Sequence, residues 1–176
     1  SVKKMNRENI VLTGFMGTGK STVGRLLAKE LQYNFVDTDG LIEQRCGMSI
    51  PDFFRTKGEQ VFRQLETEVT RELSTCSSQV ISTGGGLILN PANVAILHPV
   101  SHIFCLVASP KEVLRRVSKG NNGERPLLAG GSPLETITSL LKKRKEAYNQ
   151  FAQITTTGKT PAQVSKEILT LFHSSL

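Results

Sequence analysis

Tryptophan is absent from the 176 residues, tyrosine occurs twice, and aromatic residues make up only 6 % of the chain. So few flat side chains leave little for bases to stack on. No groove-reading motif is present either, so nucleic acid is not an expected partner. Long apolar runs are also missing. The longest, Ile103 to Ala108, is far shorter than the roughly 20 residues needed to cross a bilayer, and no membrane segment is expected. Cysteine is scarce: Cys46, Cys76 and Cys105 are odd in number, far apart and in no C-x-x-C arrangement. That speaks against a disulfide framework or zinc site and for a reducing cytoplasm. His98, His102 and His173 lack the spacing of metal ligands. Repeats, low-complexity tracts and long linkers are lacking too. At this length a single domain over residues 1–176, monomeric in solution, is the expectation.

Acidic residues are in deficit, 15 Asp and Glu against 22 Lys and Arg, for a net charge of +7. A basic surface favours anionic partners, and small phosphorylated or carboxylated molecules satisfy it as well as polyanions do. The basic opening, Ser1 to Arg7, runs straight into a strand pattern without the apolar stretch of a secretory leader, and reads as a short exposed arm.

Short apolar runs alternate with helical periodicity. Ile10-Val11-Leu12, Phe35-Val36, Val80-Ile81, Ile103 to Val107 and a weaker Ile154-Thr155-Thr156 read as strands, each followed by a helical pattern. The helical stripes are Val23, Leu26, Leu27 and Leu31; then Phe62, Leu65, Val69 and Leu73; then Ile137, Leu141 and Tyr148. Strand and helix in alternation predict an α/β fold, a parallel sheet covered by helices on both faces.

Gly14-Phe15-Met16-Gly17-Thr18-Gly19-Lys20-Ser21 matches G-x-x-x-x-G-K-[ST] between the first strand and the first helix, the context that a phosphate-binding P-loop requires. Glycines let successive N–H groups turn inward, and the helix start adds positive partial charge where phosphates sit. Lys20 is then expected to reach the β and γ phosphates and Ser21 to offer an oxygen to Mg²⁺.

The acceptor must be read from the remaining polar residues. Asp37-Thr38-Asp39 places two carboxylates at the carboxyl end of the second strand, where open sheets bind ligands. If the strand continues, both lie on one side; otherwise one of them caps the helix beginning near Leu41. Arg63 and Glu66, three apart on one helix, are neighbours, and Glu66 falls within the apolar stripe, so they pair either in a pocket or as a surface pair. Arg144 lies three after Leu141 and four before Tyr148, on the inward stripe, while Lys142, Lys143 and Lys145 point elsewhere. An inward guanidinium needs an anion, either a ligand carboxylate or a structural partner. Thr83-Gly84-Gly85-Gly86, after the third strand, leaves bare backbone for a ligand to approach, or forms a flexible turn. Together these residues describe a pocket for a small polyhydroxylated carboxylate. A glycine-rich, polar stretch from Gly120 to Pro133 is expected to be mobile over the site.

Gly17 to Gly24, with Thr22 inside the run, Asp37-Thr38-Asp39, Gly58 to Arg63, Thr83 to Gly86, Arg125-Pro126-Leu127-Leu128 and Arg144 follow one another as they do in the shikimate kinase family, which the chain resembles from about Ile10 to Phe172. The resemblance implies a three-layer P-loop kinase fold with five parallel strands in the order 2-3-1-4-5. It also implies substrate-binding helices at about 39–73 and a lid at about 118–133. It implies an ATP-dependent enzyme phosphorylating the 3-hydroxyl of shikimate, with ATP on Gly17, Thr18, Gly19, Lys20, Ser21 and Thr22. Asp39 would contact the attacking hydroxyl. Arg63 and Arg144 would hold the carboxylate, Gly84, Gly85 and Gly86 would line the substrate beside Glu66, and Asp37 would serve Mg²⁺. Arg125 would be the lid arginine. Where family members often carry an adenine-stacking arginine, Ser118 stands with Arg116 and Lys119 nearby, leaving the base contact open among them. Lys159-Thr160-Pro161 approximates the family's adenine loop.

Overall fold

In the computed structural model, which describes residues 8–119 and 131–175, the apolar runs form five strands. These are β1 (Asn9–Gly14), β2 (Asn34–Asp37), β3 (Gln79–Ser82), β4 (Ser101–Val107) and β5 (Ala152–Thr155). All neighbours pair in parallel, in the order β2-β3-β1-β4-β5. Helices fill the connections: α1 (Lys20–Leu31), α2 (Thr38–Cys46), α3 (Ile50–Lys57), α4 (Glu59–Leu73), α5 (Pro91–Leu97), α6 (Pro110–Lys119), α7 (Pro133–Asn149) and α8 (Pro161–Ser174). The expected basic arm at Ser1 to Arg7 and most of the expected lid, residues 120–130, lie outside the described residues.

Because side chains alternate across a strand, the sheet sorts its apolar residues into two cores. Ile10, Leu12, Val80, Phe104 and Leu106 face Val23 and Leu27 of α1 and Val164, Ile168 and Phe172 of α8. Their neighbours Val11, Ile81 and Cys105 face the other way, onto Phe62 and Val69 of α4, Val113 of α6 and Ile137 and Tyr148 of α7. One expectation fails within the stripes: Leu26 is 39 % exposed, and Gly24 and Ala28 take the inward positions beside Val23 and Leu27. Gly24 is inward because α1 crosses β2 closely; a Cβ there would lie 2.7 Å from the ring of Phe35.

This topology brings the carboxyl ends of β1, β2 and β3 side by side. The loops that leave them carry the glycine-rich cradle, the Asp37-Thr38-Asp39 run and the Gly84 to Gly86 turn, so all three open onto one rim of the sheet.

Candidate active site

β1 ends at Gly14 and α1 begins at Lys20, with Gly19 at its N-cap in the left-handed region (φ 93°) and no side chain capping the helix. The first N–H groups of α1 are therefore left for an anion. Lys20 folds back into the loop, its Nζ donating to the carbonyls of Gly14 (2.6 Å) and Phe15 (3.0 Å). Burial lowers its pKa to about 8, against the pull of Asp39 and Asp37. Thr18 is buried and its hydroxyl donates to the Phe15 carbonyl at 2.7 Å, tightening the loop.

Of the two alternatives for Asp37-Thr38-Asp39, continued strand or helix cap, the cap holds: β2 stops at Asp37. α2 begins at Thr38, three residues earlier than Leu41, because Asp37 caps it: Oδ1 accepts from the N–H of Asp39 (3.0 Å) and Gly40 (3.2 Å). The second oxygen, Oδ2, accepts from Ser21 Oγ at 3.0 Å. Asp37 thus ties the helix after β2 to the cradle after β1. Asp39, in the first turn of α2, is left to face the cavity. Burial, followed by the charge of Asp37, raises its pKa to about 6, with Lys20 opposing.

Arg63 and Glu66 come together on α4, with Nη1 donating to Oε1 at 2.6 Å. Glu66 is 1 % exposed, and its Oε2 has no partner among the described residues. Burial raises its pKa, offset by Arg63. Arg144 reaches in from α7 and donates through Nη1 to Tyr148 Oη (3.3 Å), while Tyr148 Oη donates to the Gly85 carbonyl (2.8 Å). The Arg144 guanidinium also lies 5.5 Å from the centre of the Phe15 ring.

The triple glycine explains how these groups meet. A Cβ on Gly84 would sit 2.5 Å from Asp39 Oδ1, one on Gly85 3.0 Å from Arg144 Nη1, and one on Gly86 2.7 Å from Arg63 Nη1. Each missing side chain is replaced by one functional group, and Thr38 Oγ1 anchors the turn by accepting from the Gly84 N–H at 3.0 Å. The result is a cavity of about 640 Å³ that also contains Gly17, Gly19, Lys20, Ser21, Thr22, Asp37 and Glu66.

The structure adds an apolar wall that sequence reasoning missed, Ile50, Pro51 and Phe54 of α3. Their only signal is an amphipathic segment lying between the helices of Asp39 and Arg63. Lys159 does not line this cavity; its Nζ donates to Glu167 Oε2 on α8 at 2.8 Å. Of the residues left open for the base, Ser118 and Lys119 are exposed, while Arg116 is engaged with the cradle. Arg125 lies outside the described residues.

Ser21 and Asp37 present hard oxygens within 3.0 Å of each other at the mouth of the cradle, which fits Mg²⁺, an ion that takes one or two protein oxygens beside substrate phosphates.

A family model described as shikimate kinase matches residues 16–173, a span that includes every residue lining the cavity. The chain belongs to the shikimate kinase family. The shikimate kinase of Geobacter sulfurreducens is 46 % identical, over 92 % of this chain and 89 % of its own length. That of Caldanaerobacter subterraneus subsp. tengcongensis is 43 % identical, over 92 % and 94 %. Among solved structures, a shikimate kinase from Acinetobacter baumannii in complex with shikimate is 36 % identical, with a TM-score of 0.88 over 96 % of this chain and 94 % of that one. One cavity in this chain brings together the glycine-rich loop, two arginines and the carboxylate of Asp39.

Proposed function

We propose that this shikimate kinase transfers the γ-phosphoryl group of ATP to the 3-hydroxyl of shikimate, a step of aromatic amino-acid biosynthesis. The observation that carries the assignment to these residues is the convergence of Asp39, Arg144 and Arg63 on the bare backbone of Gly84, Gly85 and Gly86, beside the cradle.

ATP phosphates occupy the loop from Gly17 to Thr22. Lys20 exchanges the carbonyls of Gly14 and Phe15 for the β and γ oxygens, whose charge favours its protonated form. Ser21 and Asp37 would hold Mg²⁺, which when bound supplies neutralisation of phosphate charge. Arg63 and Arg144 grip the shikimate carboxylate. Glu66 holds Arg63 in position. Asp39 accepts the hydrogen bond of the 3-hydroxyl and orients its oxygen toward the γ-phosphorus. As that O–P bond forms, the bond to the β–γ bridging oxygen breaks, ADP leaves, and the hydroxyl proton passes to Asp39. We assign Arg125 to the transferring phosphoryl group and the loop of Lys159 to the adenine. Helices α2 to α4 serve the acceptor, with residues 118–133 as the lid. Because one chain supplies these groups, a monomer suffices, and free cysteines suit the cytoplasm.

ATP consumption with and without shikimate, set against gluconate and nucleoside monophosphates, tests the reaction; turnover with another acceptor alone would overturn it. Arg144→Ala is expected to raise the shikimate KM by about a hundredfold and the ATP KM by less than about twofold. Equal effects on both would assign Arg144 a structural role. Asp39→Asn is expected to keep ADP binding and lose about 10²- to 10⁴-fold in turnover.

A further inference from the structure

In the cradle, the carbonyls of Gly14 and Phe15 are taken by the loop's own Lys20 and Thr18, whereas that of Gly17 is taken by Arg116, which donates through Nη1 at 3.2 Å from α6. The same guanidinium donates through Nη1 to Thr156 Oγ1 (2.9 Å), through Nη2 to the Thr156 carbonyl (3.1 Å) and through Nε to Glu112 Oε1 (2.9 Å). Thr156 is itself fixed, 2 % exposed, with its N–H (2.8 Å) and its hydroxyl (3.1 Å) both donating to the Val107 carbonyl at the end of β4. Gly17 has φ 72°, and a Cβ there would lie 2.9 Å from Val117 Cγ1, so α6 is seated directly on the loop.

A trans peptide is planar, with its C=O and N–H on opposite sides. Fixing the Gly17 carbonyl toward α6 therefore turns the N–H of Thr18 away from α6, toward the interior of the loop. An N–H already aimed at the phosphate costs no reorganisation when the phosphate arrives.

We propose that Arg116 is a positioning residue for phosphoryl transfer, clamping the Gly17–Thr18 peptide between α6 and Thr156 so that the Thr18 N–H faces the nucleotide phosphates. The role rests on nucleotide occupying the cradle as proposed above. It does not involve the base, and a ligand without a base distinguishes the two.

Calorimetric titration of ADP, pyrophosphate and shikimate into wild type, Arg116→Gln and Thr156→Val tests it. In Arg116→Gln, ADP and pyrophosphate should each bind about tenfold more weakly, with shikimate affinity within about twofold of wild type. Thr156→Val, which removes one arm of the clamp and leaves Arg116 in place, should show the same pattern at about threefold. Arg116→Lys keeps the charge but cannot span Gly17 and Thr156 together, and should show the same loss of ADP and pyrophosphate affinity with shikimate affinity retained, which carries the test if the glutamine variant fails to fold. Loss confined to ADP would place the guanidinium on the base and overturn the clamp. So would unchanged phosphate affinity, or an equal loss of shikimate affinity. Wild type that took neither ADP nor pyrophosphate would instead sink the phosphate-cradle reading.

Discussion

Asp39 is half-buried next to Asp37 and opposite Lys20, and its pKa of about 6 lies well above the ordinary carboxylate value. A group that holds its proton more tightly folded than unfolded contributes stability at low pH, and that contribution is lost as pH rises from about 4 through 6. Ionised Asp39 is thus a cost that the ligand-free protein carries at neutral pH. Asp39→Asn should therefore make the ligand-free protein more stable than wild type at pH 8, by up to about 3 kcal/mol, with the difference gone below about pH 4. Urea unfolding of both proteins at the two pH values measures this, and an asparagine variant less stable at pH 8 would contradict it. Glu66 follows the same physics in a milder form, because Arg63 bonds its carboxylate directly.

At the scale of elements, the turn from Gly84 to Gly86 exists to be approached. None of its glycines has a positive φ, and Gly86 sits at φ −94°, ψ −9°, so alanine is tolerated by the backbone. Space is what the substitution removes, and the atoms in the way are the ends of side chains. Gly86→Ala should displace the Arg63 guanidinium and raise the shikimate KM by about tenfold, with kcat changed much less. Gly84→Ala should displace the Asp39 carboxylate and lower kcat by about tenfold or more. Steady-state kinetics of the two variants would separate them; a common loss of folded protein in both would show that the turn is structural. The cap at Asp37 is a second device at this scale, since one oxygen starts α2 and the other meets Ser21, placing Asp39 by fixing where the helix begins.

For the whole molecule, acceptor groups reach the cavity from α2, α4 and α7, so a ligand that binds them braces elements from distant parts of the chain. At about 100 times its Kd, shikimate should add about 2.7 kcal/mol of stability, or about 5–10 °C in Tm for a chain this size. Far-UV circular dichroism suits the measurement, since the chain has no tryptophan. Arg144→Ala at the same shikimate concentration should show a shift near zero; an undiminished shift would move the carboxylate site elsewhere.

What the sequence determined by itself was local. Side-chain alternation in β1 and β4, the helical stripe of α4 and the Gly14 to Ser21 motif follow from periods of two and 3.6 and from backbone chemistry within a few residues. Arg144 was legible as an inward cation because its place on a helix is set by Leu141 and Tyr148. Where local forces compete, the sequence could not decide. Asp37-Thr38-Asp39 could prolong a strand or begin a helix, and the cap prevailed, with Ser21 of another loop taking the remaining oxygen. Leu26 fits a core stripe by spacing, but the close crossing of α1 over β2 turned Gly24 inward instead. The pocket of Asp39, Arg63, Arg144 and three glycines was legible, but the contacts within and around it were left to the tertiary structure: the grip of Arg116 on Gly17, the wall of α3, and which group stands against each of Gly84, Gly85 and Gly86. Periodicity fixes the direction of a side chain relative to its own element, whereas the distance between elements is set only when both faces of the sheet pack.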